Sequence, residues 1–181
     1  SGMSAAIDVL HVDDDPSVLD LTEAYLEREL DSVAVTSVTD PESALARLDE
    51  DAFDCVISDY DMPAMDGLEL FDAIPEEYQK IPFVLYTGKG SEEIASDAVS
   101  AGVTDELRKE TGTGQYAVLA NRITNAVQQY RSERELDENR ERLSMLCEQS
   151  PLGVVEWDES FRFTRVNEAA QGILGYAESE L

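Results

Sequence analysis

Two short apolar runs in this chain end in aspartate, and those acids are the residues best placed to do chemistry. Phe53 to Ser58 runs out into Asp59 and is followed by Tyr60-Asp61-Met62-Pro63-Ala64-Met65-Asp66-Gly67. Ile7 to Val12 ends in the same way, at Asp13-Asp14-Asp15 before Pro16. Open α/β sheets collect ligands in the crevice beyond the carboxyl ends of their strands, so acids at two such ends point to one rim. If the strands are neighbours, three or more carboxylates converge. At about 4 Å and an effective dielectric near 20, each like-charged pair then costs roughly 4 kcal/mol, and something cationic must offset it.

The elements that must position these acids are legible as alternating blocks. Candidate strands are Ile7 to Val12, Val33 to Val38, Phe53 to Ser58, Pro82 to Thr87 and Val103 to Leu107, each short, apolar and flanked by polar turns. Amphipathic helical blocks lie between them. In the first, Val18, Leu19, Leu21, Tyr25, Leu26 and Leu30 form the expected buried stripe, with Asp20, Thr22, Glu23 and Glu27 on the polar side. Asp40-Pro41 caps a second helix whose inward face is Ala44, Leu45 and Leu48, and Ser91-Glu92-Glu93 repeats that logic for a helix ending near Ala101-Gly102. Five strands alternating with helices predict a doubly wound α/β fold, a parallel sheet of order 2-1-3-4-5 with helices on both faces. The first and third strands are then adjacent, and Asp13, Asp14 and Asp59 share a pocket.

Composition narrows the partners. Across 181 residues the formal net charge is -27, and lysine occurs only at Lys80, Lys89 and Lys109. Phosphate binding depends on basic patches and counterion release, so no nucleic acid and no anionic membrane is expected as a direct partner. Acid-rich, lysine-poor composition resembles that of salt-adapted cytosolic proteins of halophiles, in which high ionic strength screens self-repulsion. Cys55 and Cys147 are too few and too far apart for a disulfide framework or a zinc site, which fits a reducing, cytoplasmic setting. No apolar run reaches the roughly 20 residues needed to span a bilayer.

The acids at Asp13-Asp14, the block from Asp59 to Gly67, Thr87 at the end of the fourth strand and Lys109 after the fifth together resemble the receiver domain of two-component response regulators, over about Ile7 to Tyr130. The resemblance implies the flavodoxin-like fold and a phosphoryl group accepted on Asp59 from a phosphohistidine of a partner histidine kinase or phosphotransfer protein. It implies Mg²⁺ held by Asp13, Asp14, Asp59 and the backbone carbonyl of Asp61, with Thr87 and Lys109 contacting the phosphoryl oxygens. Mg²⁺ takes oxygen ligands octahedrally, which suits such a donor set. The chain departs from the family pattern twice. Glu110, not proline, follows Lys109, and Glu106 stands where an aromatic switch residue is usual. Switching is then expected through Thr87 and the fourth and fifth helices.

Beyond Gly114, the stripe Tyr116, Leu119, Ile123, Val127 and Tyr130 predicts a helix packed on the sheet, continued by the polar run Arg131 to Arg142. Leu136, Leu143 and Leu146 have heptad-like spacing, consistent with a solvated connector or with a signalling helix that pairs two protomers as a homodimer. From Glu148 to Leu181 two short strands and two short helices are expected, and the stretch resembles the amino-terminal part of a PAS sensor domain. The expected organisation is a receiver domain at 5–130, a linker helix at 131–147 and a partial α+β PAS region at 148–181. A longer haloarchaeal hybrid sensor or histidine kinase is the parent this implies. His11, the only histidine, reads as a packed strand residue and not as a phosphodonor. Two rivals stand beside the receiver. Haloacid dehalogenase-like phosphatases also form a phosphoaspartate, but their Asp-x-Asp-x-Thr or Asp-x-Asp-x-Val pattern meets Pro63 at its last position. The other rival is a non-phosphorylated interaction module on the same scaffold.

Overall fold

The structure is a computed structural model that describes residues 5–88 and 92–175. The chain divides into two compact units, Ser1–Arg131 and Ser132–Leu181. In the first, strands β1 (Ile7–Val12), β2 (Val33–Val38), β3 (Cys55–Ser58), β4 (Phe83–Thr87) and β5 (Asp105–Arg108) form one parallel sheet. Its order is β2-β1-β3-β4-β5, as the alternation predicts. The connecting helices are α1 (Pro16–Glu29), α2 (Pro41–Glu50), α3 (Gly67–Ala73), α4 (Glu92–Ala101) and α5 (Gly114–Glu148), the last of which begins in the first unit and ends in the second. Ser91, the expected cap of α4, lies outside the described residues.

Strand parity divides the core into two apolar layers. Leu10, Val12, Val56 and Leu85 face one side and pack with Leu48, Leu70 and Ala98. Val9, Ile57, Val84 and Tyr86 face the other and pack with Leu26, Leu119, Ile123 and Val127. Continuous burial of β3 and β4 is what a parallel sheet covered on both faces requires.

Two details correct the expected pattern, and three acids prove to have structural partners. On α1 the buried residues are Leu19, Thr22 and Leu26, whereas Leu21 is half exposed. Positions three and four apart share a helix face, so the geometry turns Thr22 inward although it is polar. Strand β5 starts at Asp105 and not at Val103, because the Thr104 amide and hydroxyl are already engaged with the backbone of Phe83. Three acids that composition alone would leave as solvated charges also have structural partners. Asp15 caps α1 and Asp66 caps α3 in a capping box with Glu69.

Asp54 is the third. Its carboxylate receives the Arg131 Nε at 3.0 Å and Nη2 at 2.6 Å, and the Asp8 amide at 3.0 Å. The same guanidinium donates to the carbonyl oxygens of Ala5 and Ala6. One arginine thus ties α5 to the amino-terminal ends of β1 and β3, by the bidentate geometry that suits guanidinium and carboxylate.

The second unit contains an antiparallel pair, β6 (Val155–Trp157) and β7 (Phe163–Val166), and helix α6 (Glu168–Leu174). Asn167 caps α6 through the Ala170 amide and also donates to the carbonyls of Cys147 and Leu152. Of the two short helices expected after the strands, α6 is present, and Tyr176 lies outside the described residues. Among the described residues no helix is long and apolar enough to cross a membrane.

Replacing Asp54 by Ala leaves a partly buried guanidinium unpaired. After allowance for partial exposure, the expected loss is about 1–2 kcal/mol in chemical unfolding, and an unchanged midpoint contradicts the role given to this pair.

Candidate functional site: an acidic cleft at the strand ends

Parallel register brings the acids together. Val12 on β1 is opposite Ser58 on β3, so Asp13 and Asp59 leave the sheet side by side. The Asp59 amide donates to the Val12 carbonyl at 2.9 Å and the Asp13 amide to the Val38 carbonyl at 3.2 Å, which continues the ladder past the formal strand ends. Ligand oxygens of Asp13, Asp14 and Asp59 all lie within 4.8 Å of one another. Asp13 is 1% exposed and Asp59 is 8% exposed, so both charges are largely removed from water. Asp14 is exposed and also lines the cleft.

Lys109 supplies the cation. Its Nζ is 2.6 Å from Asp13 Oδ2 and 3.3 Å from Asp59 Oδ1. The Lys109 amide donates to the Thr87 carbonyl at 2.8 Å, so the residue extends the β4–β5 pairing before its side chain crosses the cleft. Its ammonium also stands 5.6 Å from the centroid of the Tyr86 ring. Burial pushes the Asp59 carboxyl above the ordinary carboxylate range, against Lys109, which pulls it down, and with Asp13, which adds to the rise.

The cleft holds about 330 Å³ and is lined by Asp13, Asp14, Asp15, Asp59, Asp61, Thr87 and Lys109. All the residues named from the sequence as chemical therefore border one space. Thr87 is fully buried at its floor. Lys109 also lines a second cleft of about 450 Å³, with Leu21, Tyr25, Tyr86 and Tyr116, and the rings of Tyr25 and Tyr116 stack with centroids 4.4 Å apart.

The turn after Asp59 is shaped by close packing. A Cβ on Gly67 would press on the Asp59 carbonyl oxygen and meet Leu85 Cδ1 at 2.7 Å, so only glycine fits there. Its amide closes the turn onto the Tyr60 carbonyl at 2.8 Å. Ala64 takes the left-handed conformation at φ 70. His11, two positions before the acids, is fully buried on the α1 and α5 face. Burial first, and then Lys109, hold its pKa down to about 3, so its imidazole is neutral.

Sequence reasoning missed Gln115. Its carboxamide bonds the loop that follows Lys109 and the hydroxyl of Tyr86. A lone glutamine at a helix start carries no pattern that marks such a role.

A doubly wound sheet of this order, with acids at the ends of its first and third strands and a lysine after its fifth, defines a CheY-like signalling fold. The comparisons with known proteins agree. The family model of the response regulator receiver domain matches residues 9–121, and the chain belongs to that family. The chain is 30% identical over 154 residues to the phosphoglycerate transport system transcriptional regulatory protein PgtA of Salmonella typhimurium, across 85% of this chain and 35% of that protein. It is 37% identical over 98 residues to the transcriptional regulatory protein FlgR of Helicobacter pylori, across 54% of this chain and 24% of that one. It thus spans about a quarter to a third of those relatives. Among solved structures, chemotaxis protein CheY4 of Vibrio cholerae superposes with a TM-score of 0.59 at 28% identity, covering 66% of this chain and 99% of that one. Family membership favours the receiver over the haloacid dehalogenase-like alternative.

Because the folded state raises the pKa of Asp59, ionisation of this carboxyl opposes folding at neutral pH and is harmless once both states are protonated. With chelator present, Asp59→Asn is expected to raise the thermal midpoint at neutral pH. The gain should fade as pH drops towards the ordinary carboxylate range near 4. A lowered midpoint at neutral pH contradicts this balance.

Proposed function

We propose that the chain is a phosphoacceptor signalling module in which Asp59 receives a phosphoryl group from a phosphohistidine on a separate histidine kinase or phosphotransfer protein. The observation that carries this reading is the nearly buried Asp59 carboxylate, held beside two further acids with one lysine reaching both it and Asp13. In the reaction an Asp59 carboxylate oxygen forms a bond to phosphorus as the phosphorus–nitrogen bond of the donor breaks. The electron pair returns to the imidazole nitrogen, which leaves as neutral imidazole after taking up a proton.

The donor set fits Mg²⁺, since hard carboxylate oxygens converge within one cleft. Asp13, Asp14, Asp59 and the Asp61 carbonyl are the groups that would hold it. When bound, the ion neutralises charge on the phosphoryl oxygens, where transfer of this kind is governed by positioning and electrostatics. Lys109 supplies a second positive charge at the same place. Thr87 offers a hydroxyl to a phosphoryl oxygen, and pulling its loop inward converts a local change into a shift of population between two states. With Glu106 at the usual aromatic position, that shift passes through Thr87, α4 and α5.

The organisation that accompanies this reading is a receiver at 5–130, a signalling helix at 131–147 and the beginning of a PAS domain at 148–181. The short antiparallel pair followed by α6 supports the last part. Exposed Leu136, Leu143 and Leu146 support a second copy of the chain as partner of the helix. The acidic, lysine-poor surface supports a halophilic sensor or histidine kinase as the parent protein.

The test is incubation with Mg²⁺ and acetyl phosphate, followed by intact mass. A labile phosphoryl adduct is expected on the wild type, none on Asp59→Asn, and none when chelator replaces Mg²⁺. Sustained turnover of phosphomonoesters without an adduct contradicts the reading and favours a phosphatase.

A further inference from the structure

The segment Glu110–Gly112, between β5 and α5, is solvent-exposed, with Gly112 at φ 102. It follows directly on Lys109, the residue whose ammonium must stay within reach of Asp13 and Asp59. A loop free to drift lets the lysine stem drift with it, and fixing such a side chain only during reaction costs conformational entropy.

Gln115 bonds this loop from the first turn of α5. Its Nε2 donates to the Glu110 carbonyl at 2.5 Å and to the Gly112 carbonyl at 2.8 Å. Its Oε1 accepts the Glu110 amide at 3.0 Å and the Tyr86 hydroxyl at 2.5 Å. A carboxamide has two donor hydrogens and two acceptor lone pairs, and here all four are used. Tyr86 is buried on β4, immediately before Thr87, with its ring beside the Lys109 ammonium. One side chain therefore bonds the chain just after Lys109 and the aromatic ring next to its charge.

We propose that Gln115 is the positioning residue for Lys109, fixing the 110–112 loop to Tyr86 so that the ammonium is held ready over the acid pair. This rests on the phosphoacceptor reading of Asp59 and adds a residue that never touches the phosphoryl group. It also gives β4 and the lysine loop a common joint, so movement at Thr87 reaches Lys109 through Tyr86 and Gln115.

The test uses the full chain with saturating Mg²⁺ and acetyl phosphate as donor, with labelling followed by intact mass. Gln115→Ala is expected to label roughly tenfold more slowly, the scale of a small misplacement of a reacting group. Gln115→Glu keeps both acceptors but loses both donors, and it should also label slowly. Mg²⁺ affinity by calorimetry should not fall, because the three acids do not bond Gln115 and the Lys109 ammonium it holds at Asp13 and Asp59 opposes a divalent cation there. In a Lys109→Ala background, Gln115→Ala should slow labelling no further. Amide exchange at Glu110 should speed up by about tenfold or more in Gln115→Ala, since local opening frees that bond.

Wild-type labelling rate in Gln115→Ala, or unchanged protection of the Glu110 amide, overturns the proposal. So does a parallel loss of Mg²⁺ affinity, which marks a general loosening of the domain. If the wild type itself takes no label, the phosphoacceptor reading fails, and the exchange measurement alone then decides whether Gln115 fixes the loop.

Discussion

The chain brings like charges together and holds them with very little positive charge. Parallel register sets Asp13 and Asp59 side by side at the ends of β1 and β3, nearly sealed from water. Lys109, reaching both, is the cation that the described structure provides at that point. In a protein with 40 acidic and 13 basic residues this placement is costly to maintain, and the surrounding elements act to maintain it. Capping acids fix the starts of α1 and α3, Gly67 permits close packing behind Asp59, and the β4–β5 ladder carries Lys109 to the cleft. Such a site leaves its own charges incompletely balanced, and that imbalance is what the proposed divalent ion and phosphoryl group would answer.

Much of this was legible in the residues. Apolar runs that end in aspartate marked the strand ends, their alternation with helical blocks fixed the sheet order, and the order made the acids neighbours. The boundaries of β1 and β2 coincide with the runs that predict them, because polar turns bracket both. What was not legible depended on direction in space. Thr22 faces the core because of helix phase, although its hydroxyl suggested the solvent side. Asp54 belongs to a clamp with Arg131, 77 positions away, and in a chain so rich in acids nothing local distinguishes it from a solvated charge. Gln115 was invisible for a similar reason, since its partners are backbone carbonyls, an amide and a tyrosine hydroxyl.

The two ends of the sheet have different tasks. At the carboxyl ends lie the acids, Thr87 and the lysine loop. At the amino-terminal ends Arg131 binds Asp54 and the carbonyls of Ala5 and Ala6, which anchors α5 where the helix leaves the first unit. The receiver's share of α5 is thus held near its start by Gln115, on the cleft side, and by Arg131 at the opposite end of the sheet. Glu106 offers no aromatic ring to report such a change, whereas Tyr86 is buried one residue before Thr87.

All of this rests on the proposed capture of a divalent cation by the converging carboxylates. Calorimetric titration with Mg²⁺ at high salt tests it most directly. Saturable binding of a single ion is expected for the wild type and its loss for Asp14→Ala, with the fold intact by circular dichroism. Absence of binding in the wild type, or equal binding in Asp14→Ala, contradicts it.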